Sequence, residues 1–438
     1  MCGRHILRYL AALAFAGALL GYATGCGSAA GPAPATGSPS DDGQWRFVAE
    51  IDDFHGIAFS DRGRGWLVRS TYEQVGIGDG MTAPVRRGLW ATDDGGRTWA
   101  ACTGRIRSNG RWEAPAPSID KLPNPDLLTP LDRRRLVVAF QGVSDYVVIG
   151  GTGFMVEAGY SPGGVVMSLD GGRSWTTCLR LPLREVIAAS CWTDLRHGWV
   201  LSYHKSGELL DSWLWTLRRT ADGGRSWQEL AQWERPRDGN ALVACPEGFL
   251  TMVDRRVGWE VFLMRIDKFA SFGGVMCRTM DGGETWSPAE RLPAARDEDA
   301  PGVQYPGSLD GFQALGQDEV WCWKAIEPVV EGDTMWEGAL YHTTDGGRSW
   351  VYSDISDPVH WAHFVDGRRG WMVTGVNHAR QAVSATVDGG LTWDREGEAE
   401  GRFIAFAPAS DALRLVVRAR GSVFGAGTFM LYERSIDD

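Results

Sequence analysis

Short apolar runs alternate with turn-forming clusters along nearly the whole chain, and the runs have the length of strands, not of helices. One arrangement recurs. A run such as "HGIAFS" or "WAHFV" leads into a polar turn and then into a phrase holding a Gly-Trp pair: "DRGRGWLV", "DLRHGWVL", "DRRVGWEV" or "DGRRGWMV". After a variable loop come a third run such as "GLWAT" or "GALYHT", an octapeptide, and a fourth run opening at the octapeptide's tryptophan. Weaker forms of the Gly-Trp phrase stand near Val137, Trp321 and Val416. Each unit therefore predicts four short antiparallel strands.

The octapeptide is the most regular element. "TDDGGRTW" starts at Thr92, and its relatives start at Ser168, Thr220, Thr279, Thr343 and Thr386. Repeats of this spacing predict a stacked or circular array of one supersecondary unit, and four antiparallel strands per unit around a ring make a β-propeller. Two adjacent glycines suit a tight turn with positive φ, the carboxylate can accept from the turn's own amides, and the tryptophan can bury its ring between neighbouring sheets. On this reading Asp94, Asp170, Asp222, Asp281, Asp345 and Asp388 are structural, because a carboxylate occupied by its own turn is withdrawn from proton transfer.

The two ends of the chain predict how the ring closes. "GTFMLYERSIDD" places Ser435 and Asp437 as the first and third letters of a seventh octapeptide, and the missing tryptophan appears at Trp45 in "DDGQWRFVAEI". The expectation is an all-β, seven-bladed propeller over residues 44–438, closed by pairing of N- and C-terminal strands, which removes an open sheet edge.

Ahead of it, Arg4 and Arg8 precede the apolar run "YLAALAFAGALLGYA" and a segment rich in small residues and proline. This is the layout of an export signal, too short for a comfortable membrane span. Residues 1–25 read as signal and 26–43 as a flexible tether. Ala23, Thr24, Gly25 and Cys26 resemble a bacterial lipobox, with Ala23 where leucine is usual. That resemblance implies lipidation at Cys26 and a membrane-anchored protein of the cell envelope, periplasmic or on the outer surface.

With 44% hydrophobic and 23% charged residues the chain has ample material for a buried core. Its formal charge of -11 excludes a general phosphate-binding surface and with it a nucleic-acid partner. Cys102, Cys178, Cys191, Cys245, Cys277 and Cys322 have no metal-motif spacing; they read as disulfide partners of open connectivity or as small buried thiols.

The repeat resembles the Asp-box, or BNR, repeat of sialidases, some glycan hydrolases, sortilin-like receptors and photosystem II stability and assembly factors. "FVDGRRGWMV" followed by "ATVDGGLTW" is most similar to the last of these, single seven-bladed propellers whose bacterial members can be lipoproteins. The resemblance implies a role in assembly or stability of a membrane complex. A sialidase would carry an Arg-Ile-Pro phrase, which the sequence lacks.

Alternating strand direction puts the octapeptide turn and the turn before the Gly-Trp strand on one face, expected to be inert. The long insertions fall on the other, which becomes the expected binding face. Its candidate residues are Tyr72, Glu73, Glu157, Tyr160, Glu208, Asp297, Tyr305, Asp333 and Trp336. A glycosidase needs two carboxylates about 5–9 Å apart, and no local motif fixes such a separation here. His55, His360 and His363 near the inner strands could in principle approach a metal, but further ligands cannot be named. There is no phosphate-cradling loop before a helix, no GxSxG elbow between a strand and a helix, and no HExxH.

The leading expectation is therefore a non-enzymatic, monomeric envelope lipoprotein without metal or cofactor, whose loop-rich face binds an envelope or membrane protein. The alternative is a glycan-binding or glycoside-hydrolysing, sialidase-like propeller using the same face.

Overall fold

The computed structural model describes residues 45–74, 82–102, 105–108, 111–112, 127–140, 143–148, 155–161, 163–183, 185–206, 212–236, 248–265, 272–287, 290–291, 311–326, 337–377, 380–400, 402–409, 411–418 and 428–436. The expected signal and tether, including Cys26, lie outside them.

Seven antiparallel blades of four strands form a propeller ring. Blade one runs outward through Phe54–Phe59, Gly65–Gln74, Thr82–Thr92 and Ala100–Ala101. Blade two uses Leu127–Pro130, Leu136–Phe140, Gly164–Ser168 and Ser174–Arg180. Blade three is Val186–Trp192, Gly198–Ser206, Ser212–Thr220 and Gln228–Pro236. Blade four is Gly248–Met252, Gly258–Arg265, Phe272–Thr279 and Glu290–Arg291. Blade five is Gly311–Ala314, Val320–Ile326, Glu337–Thr343 and Val351–Ile355. Blade six is Val359–Phe364, Gly370–Asn377, Arg380–Thr386 and Asp394–Glu400.

Blade seven joins the chain ends as expected. Arg402–Pro408, Ala412–Arg418 and Thr428–Ser435 come from the C-terminal end, and Arg46–Asp52 adds the outermost strand. Ser435 stands opposite Ala412 just as Thr92 stands opposite Gly65 and Thr220 opposite Gly198, so it holds the octapeptide's first position in register. Two additions were not foreseen. The connector after blade one supplies the strands Arg105–Ser108 and Arg111–Trp112, the first lying parallel along the outside of blade two. The insertion within blade two forms a separate hairpin of Val143–Val148 and Met155–Ser161.

The core is divided among the contacts between consecutive blades. At the junction of blades one and two, Trp66 of the Gly-Trp strand and the octapeptide Trp175 pack with Leu136, Val138 and Val166. Trp199 with Trp286, Trp321 with Trp393, and Trp371 with Trp45 repeat this pairing around the ring. The sequence credited the octapeptide tryptophan with this burial. In the structure the Gly-Trp rings Trp66, Trp199, Trp259 and Trp321 are all enclosed, whereas the octapeptide rings vary: Trp175 is enclosed too, but Trp99, Trp227 and Trp286 are only half-buried.

The glycine before that tryptophan has a packing reason. It lies directly opposite the last residue of the inner strand, which is Phe59, Trp192, Met252 or Phe364, and the large side chain covers the space where a Cβ would sit. Where the opposing residue is Ala314 or Pro130, the glycine gives way to Val320 or Leu136.

Candidate functional site

Each octapeptide turn is a closed hydrogen-bond circuit. In the first, the Thr92 hydroxyl donates to Asp94 Oδ1 at 2.7 Å and accepts from the Gly96 amide at 2.9 Å. Asp94 Oδ1 also accepts from the Thr98 amide, and Oδ2 from the Thr98 hydroxyl. The circuit repeats at Asp170, Asp222, Asp281, Asp345 and Asp388.

The first glycine amide leaves the circuit for the turn before the Gly-Trp strand: Gly95 donates to Gly63 O at 2.8 Å, Gly171 to Arg134 O and Gly223 to Arg196 O. That second turn is capped in turn by Asp61, Asp132, Asp194, Asp254 or Asp366, each accepting from two of its own amides. The two turns thus share one face, as strand polarity requires. The second glycine marks a close approach to the preceding blade. A Cβ on Gly96 (φ 97°) would lie 2.6 Å from Leu431, and one on Gly224 2.5 Å from Cys178.

The donors fix the charge of these acids. The Ser226, Ser349 and Thr392 hydroxyls and amides hold Asp222, Asp345 and Asp388 at about 2. At Asp94 and Asp281 partial burial pushes upward, but the hydroxyl and amide of Thr98 or Thr285 outweigh it and the value is again about 2. A carboxylate so acidic and so fully bonded carries negative charge at neutral pH and is a poor proton acceptor.

On the opposite face the structure describes part of the expected binding surface. Tyr72 and Glu73 lie near the end of the blade-one hairpin, opposite Pro84 and Ala83. Glu157 and Tyr160 lie on the separate blade-two hairpin, opposite Tyr146 and Ser144. Four of the candidates thus stand on hairpins of neighbouring blades. Glu208, Asp297, Tyr305, Asp333 and Trp336 lie outside the described residues.

The histidines do not assemble. His360 Nε2 bonds Gly375 O at 2.9 Å, and His363 stacks on Trp361. Burial pushes His363 down to about 4. Among the described residues no three His, Cys, Asp or Glu side chains are grouped to hold a metal. Cys102, Cys178 and Cys191 are free thiols; burial raises Cys102 to about 11 and Cys178 to about 12, so these two pack as neutral side chains. Cys245 lies outside the described residues.

Three charged groups escaped sequence reasoning. Glu185 in blade three is buried and accepts from Ser202 Oγ at 2.6 Å and Arg218 Nη1 at 2.5 Å. Glu433 in blade seven is buried among Arg46, Arg62 and Arg414. Third, Arg64, Arg133, Arg134 and Arg173 line a cleft of about 600 Å³ between blades one and two, on the octapeptide face. The adjoining turns "DRGR" and "DRRR" were its visible signal.

No known family and no curated protein matches the sequence. Among solved structures the fold is similar to the polysaccharide lyase Uly1, at TM-score 0.55 and 11% identity over 92% of this chain and 94% of that one. Other similar structures are "YCF48 bound to D1 peptide" (TM-score 0.31, 13% identity, 91% and 98% covered) and the alpha-L-arabinofuranosidase Arb93a from Fusarium graminearum (TM-score 0.42, 13% identity, 71% and 92% covered). The expectation of a non-enzyme is corrected by this comparison, since the solved structures of similar fold include a polysaccharide lyase. The physical reason is that a propeller can gather reacting groups from loops of several blades, so missing local motifs exclude nothing.

Proposed function

We propose that the protein is an exported, lipid-anchored propeller of the cell envelope that binds a protein partner through its hairpin face and supports assembly or stability of a membrane complex. The observation that carries this reading is the contrast between the faces. The octapeptide turns spend their carboxylates and hydroxyls on one another, while long ladders continue to the opposite side, reaching Gln74 opposite Thr82 in blade one and Ser206 opposite Ser212 in blade three. Loops carried on paired strands are presented at low ordering cost. Cys26 holds the anchor, and the propeller acts as a monomer.

The test is affinity capture from detergent-solubilised envelope with the full chain and with Tyr72→Ala/Glu73→Ala. One membrane protein retained by the parent and lost by the variant supports the reading; identical captures refute it. Cys26→Ala tests the anchor separately, with transfer to the soluble fraction as the expected result.

A second reading, that the same face takes and cleaves a polysaccharide, draws on the lyase among the structures of like fold. Turnover of acidic or neutral polysaccharides by purified protein, lost on changing Glu73 or Glu157, would move the assignment there.

A further inference from the structure

The cleft between blades one and two concentrates positive charge on an otherwise acidic protein. Arg64, Arg133, Arg134 and Arg173 line it against the carboxylates of Asp93 and Asp170. The acids are engaged. Asp170 accepts from Ser168 Oγ, Ser174 Oγ and the Ser174 amide. Asp93 lies 2.9 Å from Arg64 Nη1.

Arg64 is fixed from several sides. Its Nη2 donates to Gly171 O at 2.8 Å, its guanidinium carbon lies 5.0 Å from the Trp66 ring centroid, and its buried Nε has no acceptor. Arg133 is held loosely, 3.7 Å from Asp61. Arg134 and Arg173 are exposed at the rim and make no ion pair among the described residues. Cys102 adds no competing charge, since its thiol is protonated.

The neighbouring geometry offers a contrast. The cleft between blades three and four measures about 420 Å³ and sets Arg255 and Arg256 against Asp194 and Asp254, so its charges balance. Of these two clefts among the described residues, the first sets two guanidinium forks without an ion pair beside a fixed third, Arg64, which the second lacks. Planar forks of this kind match tetrahedral oxyanions, each supplying parallel N–H donors.

We propose that the cleft between blades one and two binds a phosphate or sulfate oxyanion, held chiefly by Arg134 and Arg173, with the exposed Arg133 and the buried Arg64 lining the same cleft. The group can arrive as the free anion or as an ester on a glycan, and the chemistry at the arginines is the same. This site lies on the face opposite the hairpins and stands or falls independently of the partner-binding reading.

The test is titration calorimetry of the purified protein at low ionic strength with inorganic phosphate, inorganic sulfate and a sulfated oligosaccharide. Saturable binding of at least one probe is expected, weakened tenfold or more by Arg134→Ala/Arg173→Ala. Arg225→Ala, at the octapeptide position equivalent to Arg173 in blade three, should leave binding unchanged. Binding of the inorganic anions identifies a free-anion site, and binding of the oligosaccharide alone identifies an ester; both support the proposal. Failure of all three probes to bind overturns it. So does equal affinity in the double variant, or an equal loss in Arg225→Ala, which would mean diffuse attraction. Both rim arginines are exposed, and an unchanged melting temperature of the double variant verifies that its fold is intact.

Discussion

Arg46, the first residue of the first strand, places a guanidinium nitrogen 2.8 Å from the carboxylate of Glu433 in the last strand. The two residues stand opposite each other in the ladder that closes the ring. Glu433 also receives Arg414 at 2.8 Å and Arg62 of blade one at 3.2 Å. One buried carboxylate therefore ties both strands of the closure to the next blade.

Its removal should be costly in a specific way. Arg414 is 0% exposed, so Glu433→Ala leaves a buried cation without its counter-ion, and breaking such a pair costs about 3–5 kcal/mol. Arg46 is 59% exposed, and Arg46→Ala should cost about 1 kcal/mol or less. Urea unfolding of the two variants checks the ranking; equal losses would show that the closure depends on strand pairing alone.

The Gly-Trp glycine gives a second prediction. At Gly198 a Cβ would lie 2.5 Å from the Trp192 ring, which is itself packed in the contact with blade two. Gly198→Ala should destabilise by about 1–3 kcal/mol through overpacking. Gly198→Ala with Trp192→Leu should recover part of the loss, and thermal unfolding of both variants measures it. No recovery would place the cost in the backbone instead.

What could be read in advance follows from where the information lies. The circuit from Thr92 to Trp99 is encoded within eight consecutive residues, so its turn, its glycines and the structural role of Asp94 were legible. The closure was legible because Ser435 and Trp45 are recognisable fragments of the same phrase. The partner of Gly198 was not, because Trp192 meets it only through strand register. The arginine cleft was hidden for a similar reason: Arg64, Arg134 and Arg173 come together only when two blades pack. The octapeptide face, expected to be inert, carries that cleft. Catalysis was excluded on missing local motifs, a criterion unsuited to a fold whose sites are collected from distant loops.

The octapeptide acids predict acid sensitivity of defined sign. Their folded values, about 2 at Asp94 and Asp281, lie below the ordinary carboxylate value of 3.8. The stabilisation is therefore fully present above about pH 4 and is lost as pH falls toward about 2. Asp94→Asn with Asp281→Asn should flatten the dependence of unfolding free energy on pH within that window and leave oxyanion or partner binding at neutral pH unaltered. An unchanged slope would mean that other acids control it.

His363 should add a separate loss at milder pH. It stands opposite Trp371 on the inner strand of blade six, its ring centroid 5.5 Å from that of Trp361. Burial lowers its value from 6.5 to about 4, so the folded state holds the neutral ring while the unfolded chain takes up a proton. Stability from this residue is complete above about pH 6.5 and declines as pH falls to about 4, by about 3 kcal/mol in all. His342 is pushed the same way by burial, against the opposing Glu319, so part of the slope will remain without His363. Denaturant titrations at intervals across this range should show His363→Gln losing less stability on acidification than the parent. Parallel curves for the two proteins would mean that the His363 ring is hydrated and titrates as it does in the unfolded chain.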